Sequence, residues 1–254
     1  MQDQGRLIYQ FFSSNDKALL LILDACNWKV LSLLRPQWKF DVVLSRGSST
    51  SDWLKRTFTR PLKDVVYISA NPYTYLLKEI RGKFKRIVDV HMMAWNEKLN
   101  TVHPRSMNVL VKENLIAGEK KIIVHYLQPH APFLGDTWLN NYSHDFRKEV
   151  KELRIYYLAR MYPSARKEFV RAYVQNLNIV LKYVDELISF SKKFDKHFKV
   201  AISADHSEIL KGAFNPFHKF RKRIWLWLSG VFRFVGHENN SRLKELYEVP
   251  WIII

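Results

Sequence analysis

The segment "ALLLIL", Ala18 to Leu23, is apolar at every position. A strand with one wet face alternates apolar and polar residues. A run that does not alternate is covered on both sides, as in a parallel sheet flanked by helices. "FDVVLS" (Phe40 to Ser45), "DVVYIS" (Asp64 to Ser69), "RIVDV" (Arg86 to Val90) and "KIIVHYL" (Lys121 to Leu127) read as further strands, as do "KVAISAD" (Lys199 to Asp205) and the terminal "VPWIII". Between them, "SDWLKRTF", "NPYTYLLKEIRG" and "HPRSMNVLVKENLIAG" carry helix starts at Ser51, Asn71 and His103-Pro104, or glycine stops. The longest helical stretch runs from Ser164 to Phe194, where Phe169, Tyr173, Leu177, Val180, Leu181, Val184, Leu187 and Ile188 recur at three- and four-residue steps. Alternating strands and helices predict an open α/β sandwich around a mainly parallel sheet.

No repeat, low-complexity tract or linker divides the 254 residues, so one domain over 1–254 is expected. At 47% hydrophobic and 14% aromatic, the chain is not of a disordered class. Cys26 is the one cysteine, which excludes an internal disulfide and a cysteine metal cluster. No secretory leader is apparent, and no run approaches the ~20 apolar residues of a membrane span. The expectation is a cytoplasmic protein, with peripheral membrane contact as a variant.

A net charge of +17 calls for an anionic partner: nucleic acid, an acidic membrane surface, or a phosphorylated or sulfated substrate. The basic cluster "HKFRKR" (His218 to Arg223) and the aromatic run "RIWLWLSGVFRFVG" (Arg223 to Gly236) permit a non-catalytic reading, binding to nucleic acid or an acidic bilayer.

Ligands of open α/β sheets gather beyond the carboxyl ends of the strands. Asp24 ends the first strand; alone it reads equally as a turn former or helix cap. Asp205-His206 offers a carboxylate and an imidazole to one divalent cation, or else a capped helix start with a surface histidine. "SRGSSTSDWL" presents Ser48, Ser49 and Thr50 before a helix. A hydroxyl there is either a cap or a nucleophile favoured by the helix dipole. "VHYLQPHAPF" carries His125 and His130, the latter between two prolines, as substrate-binding candidates. "GHE" adds His237.

The order of these clusters resembles that of the alkaline phosphatase and sulfatase superfamily, and most closely its sulfatase-like proteins common in archaea. The motifs are "LILDACNW", "SRGSSTSDWL", "VHYLQPHAPFLGD", "ISADHSE", "VGH" and "EVPWIII", spanning essentially the whole chain. The resemblance implies an alkaline-phosphatase-like three-layer sandwich. It also implies one divalent metal (zinc, manganese, calcium or magnesium) on Asp24, Thr50, Asp205 and His206. His130 and His125 would bind substrate, and His237 would join a metal or touch the leaving group. The metal-bound hydroxyl would attack a phosphate or sulfate ester of a glycan or lipid headgroup. Thr50 is the first choice of nucleophile, by its Thr-Ser-Asp match to lipoteichoic-acid synthase relatives, and Ser49 the second.

The resemblance has departures. No Cys/Ser-x-Pro-x-Arg motif follows the hydroxyls, so the formylglycine mechanism is not expected. Ser207 stands where the family has glycine, which would strain a left-handed backbone. The stretch after Glu208 is more basic and aromatic than the family's.

Overall fold

The computed structural model describes residues 1–143, 154–210 and 235–254. The basic cluster at His218 to Arg223, and the aromatic run beyond it as far as Phe234, on which the binding-protein reading rests, lie outside the described residues.

A seven-stranded sheet forms the middle layer, in the order β2-β9-β8-β1-β7-β3-β4. Its members are β1 (Ala18–Asp24), β2 (Asp41–Leu44), β3 (Leu62–Ser69), β4 (Phe84–Asp89), β7 (Lys121–Pro129), β8 (Lys199–Ser203) and β9 (Glu248–Ile253); β5 (Trp95–Asn96) and β6 (Thr101–Val102) make a separate ribbon. Strands β4, β3, β7, β1 and β8 pair in parallel. β9 is antiparallel to both β8 and β2. Two reversals cancel, so β2 runs with β1 and its carboxyl end reaches the same edge. Beyond β1 the chain goes first to β2, on the β8 side, and then to β3, on the β7 side. That is the switch point at which such sheets open a crevice.

Helices α1 (Gln4–Ser13), α2 (Trp28–Leu34), α3 (Thr50–Thr57), α4 (Tyr73–Leu76), α5 (Lys78–Arg81), α6 (Val90–Met93), α7 (Pro104–Ile116), α8 (Arg154–Met161) and α9 (Pro163–Phe194) connect the strands. Adjacent residues of β7 show the two outer layers, because successive side chains of a strand face opposite ways. The His125 ring meets Trp53 of α3 edge-on at 5.6 Å, whereas the Tyr126 hydroxyl donates to Asn108 of α7 at 2.6 Å. On the α3 side, Trp53 Nε1 donates to Gln4 of α1 (2.8 Å), whose amide donates to Ser203 Oγ at 2.7 Å. On the other side the apolar stripe of α9, from Phe169 to Leu187, is fully buried. Each such side chain contributes roughly 1.5–3 kcal/mol by leaving water. Leu19 to Leu23 are likewise 0% exposed, as the unbroken apolar pattern requires. The three-layer α/β architecture expected from the sequence is the one observed.

Two local expectations change. "NPYTYLLKEIRG" is not one helix, because Leu77, at φ −89° and ψ 89°, separates α4 from α5. Strand β8 ends at Ser203, which frees Asp205 and His206 from the ladder and lets both turn into the site.

Gly47 shows how tightly the loop before α3 is folded. A Cβ there would lie 2.2 Å from the Trp53 nitrogen and 2.6 Å from its Cα, both backbone atoms unable to yield separately. We expect Gly47→Ala to cost about 3 kcal/mol, the upper range for overpacking. Gly82→Ala, with nothing within 4 Å, should be near neutral. Denaturant midpoints measure both, and equal midpoints would contradict the packing argument.

Candidate metal centre and active site

Four strand ends supply the centre. Asp24 closes β1 where the register with β7 slips, so that it pairs with Pro129, and the His130 N–H donates to the Asp24 carbonyl at 3.2 Å. Ala25 follows with φ 59°, a left-handed turn that points its N–H at Asp205 Oδ1 (3.0 Å). The His206 N–H donates to the same oxygen at 2.8 Å. Thr50, the first residue of α3, donates its hydroxyl to Asp205 Oδ2 at 2.7 Å. From the end of β3, Asn71 donates to Asp24 Oδ2 (2.7 Å), and its amide lies 3.3 Å from Thr50 Oγ1. His206 Nε2 stands 3.5 Å from both Asp24 Oδ1 and Asp205 Oδ2. All five side chains are buried.

This donor set fits a divalent cation. One ligand atom from each of Asp24, Asp205 and His206 lies within 4.8 Å of the others. Asp24 Oδ1 and His206 Nε2 are buried without a hydrogen-bond partner, a costly state unless something else occupies them. Two carboxylates and an imidazole suit zinc or manganese, with the Thr50 oxygen beside them as a further donor. Burial works against a charged His206, yet Asp205 and Asp24 pull its pKa up to about 9. For Asp24, the facing imidazoles His130 and His206 outweigh a burial effect in the other direction, leaving its carboxyl below the usual range.

Ser49 and Thr50 separate by geometry. The Ser49 oxygen accepts from the Asp52 N–H at 3.4 Å and caps α3, while Thr50 faces the carboxylates. His125 is 0% exposed on β7, with Nδ1 2.9 Å from the Tyr67 hydroxyl and Nε2 3.7 Å from Asp205 Oδ2. It lies beneath the centre, and burial depresses its pKa to about 4. His130 is half-buried above it, on a loop whose Pro129 and His130 carbonyls both accept from Asn176 of α9 at 3.1 Å. His237 is also partly open. Its ring lies 4.3 Å from that of His206 and 5.1 Å from that of His130, and its Nδ1 is 3.3 Å from each oxygen of Glu208. Ser207 does not have a positive φ, so its Cβ brings no left-handed strain.

Three residues of this arrangement went unread as site residues in the sequence. Asn71 looked like a helix start, although its place beyond a strand's carboxyl end was the available signal. Glu208 is buried, accepts from the Tyr156 hydroxyl at 3.0 Å, and is pushed by burial up to about 7 against the pull of His130 and His206. Tyr156 comes from α8, next to residues 144–153, and no motif marks it.

No family model and no curated protein matches the sequence. Solved structures do match. The C-terminal periplasmic domain of EcEptC from Escherichia coli, in complex with Zn, aligns with TM-score 0.62 and 14% identity over 95% of this chain and 74% of that one. BT1596, a 2-O GAG sulfatase, aligns with TM-score 0.50 and 14% identity over 94% and 64%. The fold is alkaline-phosphatase-like. A third neighbour, the soluble domain of lipooligosaccharide phosphoethanolamine transferase A from Neisseria meningitidis, gives 0.56 and 17% over 93% and 75%. All three belong to the alkaline phosphatase/sulfatase superfamily, and at these identities the likeness is one of fold. Nothing in the matches points to the archaeal branch or to the cytoplasm; the EptC match is a periplasmic domain. No helix among the described residues is long and apolar enough to cross a membrane.

Proposed function

We propose that this protein is a metal-dependent transferase or hydrolase of phosphate or sulfate esters, with Thr50 as its nucleophile. The observation that carries the reading is the Thr50 hydroxyl, buried at the start of α3 and 2.7 Å from one of two carboxylates that share a site with His206. A divalent cation held by Asp24, Asp205, His206 and the Thr50 oxygen would lower the pKa of that hydroxyl and offset charge on the anionic ester. Asp205 accepts from the Thr50 hydroxyl and Asn71 donates to the same oxygen, which fixes Oγ1 at the crevice. Attack would form a bond from Thr50 oxygen to phosphorus or sulfur as the bond to the leaving oxygen breaks. The Thr50 proton is released to water on ionisation, and a proton returns from water or a protonated His130 or His237 to make the leaving alcohol. Water or an acceptor alcohol then displaces Thr50 in a second step. His130 and His237, the partly open imidazoles, would bind the anionic group and meet the leaving oxygen.

The rim favours an ester with an apolar portion, such as a lipid-linked headgroup. Tyr75, Leu76, Met92 and Met93 are 50%, 45%, 64% and 67% exposed. They sit on α4 and α6, which follow the carboxyl ends of β3 and β4, and the Tyr75 ring meets His91 at 6.1 Å. The substrates that two neighbours are named for, a lipooligosaccharide and a glycosaminoglycan, agree with an ester on a large carrier.

The test is turnover of aryl phosphate monoesters, aryl phosphate diesters and an aryl sulfate in Zn, Mn, Mg or Ca. At least one combination should turn over, stop with a chelator and recover when metal is returned. Metal-loaded protein that turns over none of them would overturn the reading.

A further inference from the structure

The loop before α3 does more than present a hydroxyl. Ser48 is fully buried, and its hydroxyl does not cap α3, because Ser49 does. It donates instead to the Glu238 carbonyl at 2.7 Å and accepts from the Ser241 N–H at 3.0 Å. Asp52, one turn along α3, accepts from the Asn240 N–H at 2.6 Å. Arg56 reaches the Asn240 side chain as well. The stretch from Glu238 to Ser241 belongs to no helix or strand, and Asn240 sits at φ 52°. Backbone groups with no ladder of their own are satisfied by whatever side chains reach them. Here those side chains come from the helix that carries Thr50 and from the residue just before its cap.

We infer that Ser48 and Asp52 are positioning residues that set where His237 stands relative to Thr50, by clasping residues 238–241 onto the start of α3. His237 directly precedes Glu238, so the clasp begins one peptide from the imidazole. Among the described residues the one polar side chain that reaches the ring nitrogens is Glu208, with both Nδ1–oxygen distances at 3.3 Å, long for a hydrogen bond to a carboxylate. The rings of His206, His130 and Tyr156 pack around it at 4.3–5.6 Å. Ring packing and a long polar contact are weakly directional, which leaves the clasp to fix the backbone that carries the ring. Gly236, on the amino side of His237, leaves no room for a larger residue. At φ 115°, a Cβ there would lie 2.5 Å from an Arg160 guanidinium nitrogen and 3.2 Å from the Tyr156 ring. The backbone into His237 is held by two hydrogen bonds between Gly236 and Ile209, at 3.2 and 3.1 Å, while the backbone out of it depends on the hydroxyl of Ser48.

The inference concerns the same site as the proposed function, but its test does not require turnover. Diethyl pyrocarbonate modification, read residue by residue by mass spectrometry, compares His237 in the wild-type protein, Ser48→Ala and Ser48→Thr. Ser48→Ala should raise the rate at His237 several-fold and leave that of exposed His197 unchanged. Ser48→Thr, which keeps the hydroxyl, should restore most of the wild-type rate. If Ser48→Ala does not fold, Asp52→Ala is read in the same way. A folded variant with unchanged His237 reactivity overturns the inference, whatever the protein's activity. Where turnover is found, the losses from Ser48→Ala and His237→Ala should be strongly non-additive, because both act through one imidazole. Additive losses would also overturn it. A protein with no turnover but altered His237 reactivity would remove the functional proposal and leave this inference standing.

Discussion

Replacing Thr50 with alanine is expected to reduce ester turnover by at least about 10³-fold, as for other nucleophile deletions, while the fold survives. The hydroxyl makes one strong hydrogen bond, to Asp205, and that carboxylate keeps the N–H groups of Ala25 and His206. Its removal should therefore cost only about 1 kcal/mol of stability. Ser49→Ala should do the reverse. It removes the cap of α3, worth about 1 kcal/mol, and leaves most of the turnover in place. Thr50→Ser restores a hydroxyl at the same atom and should recover part of the rate. Steady-state rates with far-ultraviolet circular dichroism measure all three. If Thr50→Ala turns over substrate at the wild-type rate, the nucleophile has been placed wrongly.

Asp205→Ala should have the second large effect, on metal itself. Asp205 is the hub of the centre, since Thr50, Ala25 and His206 all converge on its two oxygens. Without it two backbone N–H groups lose a buried acceptor and the cation loses a carboxylate. Metal at 100 times its dissociation constant stabilises a folded protein by about 2.7 kcal/mol. For a chain of this size that is roughly 5–10 °C in Tm. The wild type should show such a rise on addition of zinc or manganese and Asp205→Ala should show none, with purified metal content falling to background. An undiminished rise in the variant would remove Asp205 from the ligand set.

The sheet was readable in advance because burial on both faces leaves a compositional trace. Every strand of the central sheet lies on a run named from the sequence, with ends shifted by a few residues. The convergence of Asp24, Thr50, Asp205 and His206 was readable for a related reason: strand carboxyl ends meet at the switch point, and these residues follow such ends. Two other kinds of residue were not. Asn71 acts through a turn that ties its side chain to β1 and α3, and sequence shows only that a helix starts nearby. Glu208 and Tyr156 meet across 52 positions of chain, a pairing created wholly by packing. Ser48 illustrates a further limit. Three adjacent hydroxyls, in Ser48, Ser49 and Thr50, take three different jobs, and the choice rests on where each Cα–Cβ bond points at the start of the helix.

The placement of β2 has a bearing on how the molecule comes into being. Among the described residues β2 has one ladder partner, β9, beside an isolated bridge from Asp3 to Leu44, and the Ser45 N–H, at the head of the Thr50 loop, donates to the Tyr247 carbonyl at 2.7 Å. These partners lie about 200 positions apart, so on a ribosome the segment bearing the reactive hydroxyl emerges long before the strand that will hold it. Before residues 248–253 are available, that segment has its bridge from Asp3 to Leu44 but not its ladder with β9, and the Thr50 hydroxyl lacks Asp205. Assembly of the centre therefore waits on two segments, Asp205-His206 and residues 248–253, that lie more than 150 positions beyond Thr50.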